Sequence, residues 1–286
     1  MTQSLRRFFV PLVGLLMLES SMALAQQVIA HRGASYDAPE NTLAAFRLAW
    51  QQGADGIEGD FYLTEDGEIV CLHDADTGRT GDRKLSVGQS TLEQLRTVDV
   101  GVSKGDKFRG ERIPTLAEVL SVVPPGKRIF IEVKCGPQIL PALKRDVQQS
   151  QLLPEQIAII SFHPAVIEAA RKQLPGIRAY FLYGIPAASE GRSPRFNPTP
   201  VLETLRATDA SGLDLGAEHG RVTKDEVAQL RSAGYEFHCW TIDDGPLALE
   251  YKALGVDSIT TNRPALLRKF LAAGNPAVEL RTRTPK

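Results

Sequence analysis

Apolar and polar positions along this chain switch between two periods. Short apolar runs at 28–31, 56–63, 69–73, 128–134, 157–162, 178–183, 212–215, 236–242 and 258–261 have the length and composition of strands. Between them, apolar residues recur every three or four positions, as on a helix with one buried face. Leu43, Phe46, Leu48 and Trp50 mark the first such pattern, over 41–52, which Gly53 ends. Further helices are expected at 114–123, 139–150, 164–173, 201–207, 223–233, 246–254 and 264–273. Proline stands at or near the start of several of them, where its missing N–H costs nothing. Glu65-Asp66-Gly67 reads as the turn of a hairpin that folds 69–73 back on 56–63.

With that return arm set aside, eight strand-helix units remain. Regular alternation implies a parallel sheet, and eight units of this length fit an α/β fold of the (β/α)8 TIM-barrel type. A doubly wound open sheet is the alternative. It commonly carries a glycine-rich phosphate turn, and no G-x-G-x-x-G occurs here. An insertion over about 76–112, with a short helix near 91–98, interrupts the rhythm after the second strand. No linker divides the chain, so 26–286 reads as one domain. The stretch 185–200, rich in Pro, Ser and Gly, reads as a loop over the top of the fold.

The first 25 residues break the pattern. Arg6-Arg7 precedes an apolar stretch from Phe8 to Leu18, and Ala23-Leu24-Ala25 supplies small residues ahead of Gln26. That is the layout of a cleaved signal peptide, and the apolar stretch is short for a membrane anchor, the competing reading. The arginine pair beside Phe8-Phe9 partly matches a twin-arginine signal. The mature chain is therefore expected to be exported, to the periplasm, and to be soluble without stable membrane insertion. Its 33 basic and 34 acidic residues nearly cancel and form no long single-sign run, so nothing points to nucleic acid. Cys71, Cys135 and Cys239 lie in or just after strand-like runs without zinc-site spacing, and read as free thiols.

Charged residues inside apolar strands are costly unless partnered, so where they cluster they suggest a site. Glu58 and Asp60 point to one face of their strand, as do Glu132 and Lys134 of theirs. In a barrel these would converge at the mouth formed by the carboxyl ends of the strands. Three neighbouring carboxylates repel one another unless a cation lies between them, and oxygen ligands favour one divalent Mg²⁺ or Ca²⁺. The competing reading is a set of structural ion pairs with Lys134 and nearby arginines. His31 and His73 end the first strand and the hairpin, where both reach the same mouth and can move protons. Arg32 can fork two donors onto phosphate oxygens, Lys134 adds a point charge, and Gly33 permits a sharp turn.

These residues together resemble the glycerophosphodiester phosphodiesterases. The resemblance rests on His31-Arg32-Gly33, Pro39-Glu40-Asn41-Thr42, Glu58-x-Asp60, Thr64-x-Asp66-Gly67 and His73-Asp74. It continues through Ile113-Pro114-Thr115-Leu116, Glu132-x-Lys134, Ser161-Phe162 and Trp240-Thr241, in the family's order. It implies a (β/α)8 barrel with a small insertion after His73-Asp74. It also implies metal-dependent hydrolysis of small glycerophosphodiesters, such as glycerophosphocholine or glycerophosphoethanolamine, to sn-glycerol 3-phosphate and an alcohol. By position, His31 and His73 become general acid and base, Glu58, Asp60 and Glu132 the metal ligands, and Arg32 and Lys134 the phosphate binders. Trp240 becomes a pocket wall. Glu40 and Asn41 either start the first helix, with Asn41 as its cap, or support the site.

Two rival functions remain: a lysophospholipase D-like enzyme acting on lipids, and an exported binding barrel without catalysis. An apolar loop at the mouth would favour the first, and a missing histidine or carboxylate the second. His163 and His238 read as structural. Glu218-His219-Gly220 reads as a rim contact with no partner visible in the sequence.

Overall fold

The computed structural model describes residues 26–186 and 195–273. The expected signal segment and part of the 185–200 loop lie outside the described residues. Strands β1 (Gln27–Ala30), β2 (Gly56–Leu63), β3 (Ile69–Cys71), β4 (Arg128–Val133), β5 (Ile157–Ser161), β6 (Arg178–Tyr183), β7 (Gly212–Gly216), β8 (Glu236–Trp240) and β9 (Ser258–Thr261) form one sheet. All but β3 pair in parallel, and β1 pairs with both β9 and β2, so eight strands close into a barrel. The antiparallel β3 hangs on β2 outside the ring, as the hairpin turn predicts. The fold is a (β/α)8 barrel.

Helices α1 (Leu43–Gln51), α2 (Leu92–Leu95), α3 (Leu116–Ser121), α4 (Leu140–Gln149), α5 (Pro164–Gln173), α6 (Pro198–Ala207), α7 (Lys224–Ser232), α8 (Gly245–Leu254) and α9 (Pro264–Ala273) follow in chain order. Their buried faces carry such residues as Phe46, Val119, Leu143, Ile167, Leu205 and Leu230, which share one core with the outer face of the sheet. The short α2 belongs to the segment after β3. There Val87, Leu95, Val98, Val100 and Ile113 cover Val70 and Leu72 in a second, small core.

The barrel interior is filled. Ile29, Phe130, Ala158, Ile160, Tyr180 and Leu182 pack together inside it. Phe130 stacks on Tyr180 with ring centroids 5.9 Å apart, and His238 lies 4.2 Å from the Tyr180 ring. His238 bonds Ser258 Oγ through Nδ1 at 2.8 Å, which agrees with the structural reading of this histidine. This plug leaves the carboxyl ends of the strands as the open end. Cys71 and Cys239 are buried free thiols and Cys135 is half-buried.

Several helix starts differ from expectation, and α6 begins at Pro198, inside the stretch expected to be loop, because Asn197 caps it there and Pro198 suits its first turn. Asn41 does not cap α1; Thr42 does, with Oγ1 accepting from Ala45 N at 3.2 Å. Asn41 is drawn away because its amide is committed to Asp60. The third helix begins at Leu116 rather than Pro114, because Thr115 and Glu118 form a capping box there. Several strands also end a residue or two early, so His31 and His73 lie in the turns just beyond β1 and β3. Among the described residues no helix is long and apolar enough to cross a membrane.

Candidate active site

The turn after β1 builds the first wall. Arg32 takes a left-handed backbone (φ 56°) and Gly33 follows at φ 80°, a conformation that side chains with a Cβ resist. At Gly33 a Cβ would lie 2.6 Å from the Ala45 carbonyl carbon, so only glycine lets the turn rest on α1. The kink aims the Arg32 N–H at Glu58 Oε2, 2.9 Å away. The Arg32 side chain meanwhile bonds Glu40 Oε1 at 3.0 Å, and its Nε lies 3.1 Å from Asp60 Oδ2.

Glu58, Asp60 and Glu132 then meet inside the barrel, with Asp60 and Glu132 directly paired across β2 and β4. Each offers an oxygen to a group lying within 4.8 Å of one another. All three are buried, Asp60 completely. Burial, followed by the charges of Asp60 and Glu132, drives Glu58 well above the ordinary carboxylate range. Glu132 is pushed up to about 7 by burial and by Asp60. Burial also works against the Asp60 carboxylate, but Arg32 and Lys134 outweigh it and hold its pKa down. Lys134 Nζ reaches Glu132 Oε1 at 2.8 Å and Asp60 Oδ1 at 3.4 Å. Asn41 grips Asp60 from behind, donating Nδ2 to Oδ2 at 2.8 Å and accepting the Asp60 N–H at 3.2 Å.

This donor set fits a hard divalent cation. Among the described residues Glu58 Oε1 is buried without a hydrogen-bond partner, and Asp60 Oδ1 has no hydrogen bond and only the Lys134 ammonium at 3.4 Å, a costly state for carboxylate oxygens. A cation between them would satisfy both oxygens and lower the raised pKa values.

Each histidine is held by one nitrogen. His31 Nδ1 lies 2.7 Å from Asn262 Oδ1, while Asn262 Nδ2 donates to Asp243 Oδ2 at 2.6 Å. The carboxylate can only accept, so the amide oxygen must face His31 and Nδ1 must carry the proton. Nε2 is thereby left free, 3.9 Å from Glu58 Oε2. Burial and the neighbouring Arg32 lower the His31 pKa to about 4. His73 Nδ1 donates to Asp74 Oδ1 at 2.7 Å. Asp74 also takes Arg79 Nε at 2.6 Å, and Arg79 closes a two-pronged bond onto Glu40 at 2.8 and 2.9 Å. A continuous chain of hydrogen bonds therefore runs from His73 through Asp74, Arg79 and Glu40 to Arg32.

Both rings open on one cavity of about 220 Å³, whose lining also includes Arg32, Glu58, Glu132, Lys134 and Trp240. Two roomier clefts, of about 800 and 640 Å³, lie at the opposite end around Arg128 and Glu236. Size favours those clefts, but the paired histidines and carboxylates are in the smaller one. We place the candidate site by that chemistry.

Residues 31–266 match the model of the glycerophosphoryl diester phosphodiesterase family. The chain belongs to this family. A glycerophosphodiester phosphodiesterase of Caldanaerobacter subterraneus is 32% identical over 253 residues, covering 86% of this chain and 98% of the relative. Among solved structures, an Oleispira antarctica phosphodiesterase in complex with sn-glycerol-3-phosphate superposes with a TM-score of 0.76 at 30% identity. That match covers 87% of this chain and 97% of the other. A glycerophosphodiester phosphodiesterase from Agrobacterium tumefaciens gives 0.68 at 27% identity, with 85% and 99% covered.

His31, His73, Arg32, Glu58, Glu132, Lys134 and Trp240 line this cavity, and Asp60 lies directly beside it. Trp240 lines it, edge-on to Phe162 at 5.6 Å, with its indole N–H donating to the Asp214 carbonyl at 3.2 Å. Glu40 and Asn41 support the site rather than the helix. Sequence reasoning missed Asn262, Asp243 and Arg79, which orient the histidines, and Asp214, which lines the cavity. The one available signal was a polar residue just past a strand end, and only for Asn262 and Asp243. His163 stands at the start of α5, exposed and without a side-chain capping bond. His219 does have a partner, Glu250, 2.8 Å from its Nδ1.

Proposed function

We propose that this family member hydrolyses small glycerophosphodiesters to sn-glycerol 3-phosphate and an alcohol, using one divalent cation, Mg²⁺ or Ca²⁺. The supporting observation is the placing of two anchored histidines and a buried carboxylate trio, with Glu58 Oε1 lacking a partner among the described residues, around one cavity. Glu58, Asp60 and Glu132 would hold the cation. When bound it would offset the negative charge that builds on the phosphoryl oxygens during P–O cleavage.

This chain's own residues carry the remaining roles. Arg32 and Lys134 seat the phosphate, the first as a planar fork and the second as a point charge. His31, neutral with Nε2 unprotonated, takes the proton of the attacking hydroxyl. His73, oriented through Nδ1 by the Asp74 carboxylate, gives a proton to the departing alcohol. The attacking group is either water or the glycerol 2-hydroxyl. The second route forms a cyclic phosphate, which a later water opens with the two histidines exchanging roles. Trp240 and Phe162 form the apolar wall on which the organic part rests.

We also propose export to the periplasm after loss of residues 1–25, supported by the order of basic, apolar and small residues there.

The test uses the mature chain, with its N-terminus at Gln26 read by intact mass. Metal-stripped protein is assayed for glycerol 3-phosphate release from glycerophosphocholine in chelator, then with Mg²⁺ or Ca²⁺ restored. Turnover should return with metal. It should fall by about 10²- to 10⁴-fold in His31→Ala or His73→Ala, and Glu58→Gln should no longer respond to metal. No turnover of glycerophosphocholine or glycerophosphoethanolamine under either metal would reject the reading. Cleavage of lysophosphatidylcholine instead would establish the lipid-acting alternative.

A further inference from the structure

Asp214 is the third residue of β7, only 1% exposed, and it lines the same cavity as His31 and Trp240. Its Oδ1 is buried with no hydrogen-bond partner. Across the sheet its neighbours in register are Leu182 and His238. Leu182 has nothing to offer a carboxyl, and His238 bonds Ser258 through Nδ1 and turns Nε2 toward Glu236, 3.6 Å from its Oε2. Asp214 does not belong to the trio whose oxygens converge within 4.8 Å. Among the described residues no lysine or arginine acts on it, in contrast to Asp60 and Glu132. Burial and the charge of Glu132 raise its pKa to about 8.

A buried carboxyl oxygen without a partner is costly, and a fold that keeps one commonly has something to set against it. The chemistry around Asp214 narrows what that is. A phosphate is already provided for by Arg32 and Lys134 on the β1 and β4 side, and an anion gains nothing from a carboxyl. A quaternary ammonium is best held by a cage of aromatic faces, whereas here Phe162 and Trp240 meet edge-on on one wall, with the aliphatic Ile160 and Leu182 beside them. Ile160 and Leu182 line the cavity with Asp214, and Trp240 spends its N–H on the Asp214 backbone carbonyl. What remains is an alcohol. Its O–H can be accepted by a carboxyl in either protonation state, while its carbon chain rests on Ile160, Leu182 and Trp240.

We propose that Asp214 is a specificity residue for polyol phosphates, accepting a hydrogen bond from a hydroxyl of the glycerol moiety while the phosphate rests on Arg32 and Lys134. The proposal rests on the hydrolytic reading above and adds to it the group that recognises the glycerol.

The test compares binding of sn-glycerol 3-phosphate and propyl phosphate, which lacks both hydroxyls, to metal-loaded protein by calorimetry. Wild type should prefer glycerol 3-phosphate by roughly tenfold or more, the size of one satisfied buried hydrogen bond. Asp214→Leu should erase that preference while holding propyl phosphate within about threefold. Asp214→Ala gives the same reading should the leucine variant not fold, and Asp214→Asn, which keeps an accepting oxygen, should retain the preference. Equal binding of the two ligands by wild type, or a preference that survives in both truncations, overturns the proposal. So does a parallel loss of both ligands, which would make Asp214 purely structural. Failure of the hydrolytic reading would show separately, as absent turnover of glycerophosphocholine by wild type.

Discussion

A neutral imidazole carries one proton, so whatever binds one nitrogen decides what the other can do. In this site the two histidines are anchored differently: His73 by the carboxylate of Asp74, His31 by the amide oxygen of Asn262. The amide takes the Nδ1 proton without adding charge, which keeps His31 neutral with a lone pair on Nε2. Asn262 can do this only because Asp243 holds its Nδ2 and so forbids the flipped amide. Replacing Asn262 with leucine frees the ring to rotate and to change tautomer. We expect Asn262→Leu to lower kcat by about 10- to 100-fold with KM within about threefold, measured on glycerophosphocholine. A raised KM with unchanged kcat would show that Asn262 binds substrate instead. This layer of the site was hard to read from sequence. His31, Glu58, Asp60 and Glu132 stand out because charge interrupts apolar strands. Asn262 lies 231 positions from His31 and looks like any polar loop residue. Asp214 is a lone carboxyl in a short strand, and only barrel closure brings either residue to the mouth.

At the scale of elements, the turn between β1 and α1 carries the most constraint. Gly33 and Gly53 flank α1 with nearly the same backbone, φ 80° and 79°. They differ in what surrounds them: a Cβ at Gly33 would meet Ala45 backbone at 2.6 Å, whereas at Gly53 nothing lies within 4 Å. The pair therefore separates backbone strain from close packing. Gly53→Ala should cost about 1 kcal/mol, the conformational penalty alone. Gly33→Ala should cost roughly 2 kcal/mol more by overpacking, and should lower activity because the Arg32 turn shifts. Denaturant unfolding of both variants checks this, and equal losses would show that the contact at Gly33 relaxes freely. Periodicity placed the strands and helices well, with β2, α5, β6, β9 and α9 matching to the residue. It erred where a polar residue had two uses. Asn41 suits an N-cap, but the buried carboxylate of Asp60 needs its amide more. Thr42, one residue on, can cap equally well.

For the whole molecule, the barrel gathers negative charge at one point and balances only part of it. Arg32 and Lys134 face Glu58, Asp60 and Glu132, and without a metal the excess appears as the raised pKa values of Glu58 and Glu132. The eight-unit rhythm made the barrel legible in the sequence. This imbalance was legible only in outline, because it depends on which cations reach which oxygens. Its consequence is a pH-dependent affinity for metal. A carboxyl with its pKa raised in the metal-free fold holds a proton that a cation must displace, so binding weakens as pH falls through that pKa. With Glu132 at about 7, the ionised fraction is roughly tenfold smaller at pH 6 than at pH 8. Metal at about 100 times its Kd at pH 8 stabilises by about 2.7 kcal/mol, and a tenfold weaker Kd leaves about half of that. For a domain of this size that is a rise in Tm of about 5–10 °C at pH 8, halved at pH 6. Protonation of Glu58, whose pKa is also raised, acts in the same direction. The Asp60 carboxylate, its pKa held down by Arg32 and Lys134, stays ionised across this window and contributes no slope. Thermal unfolding with and without Ca²⁺ at the two pH values reads the difference directly. A metal-induced shift that is the same at pH 6 and pH 8 would mean that the cation does not bind through Glu132. A shift that also disappears in Glu132→Gln at pH 8 would place the cation in the trio.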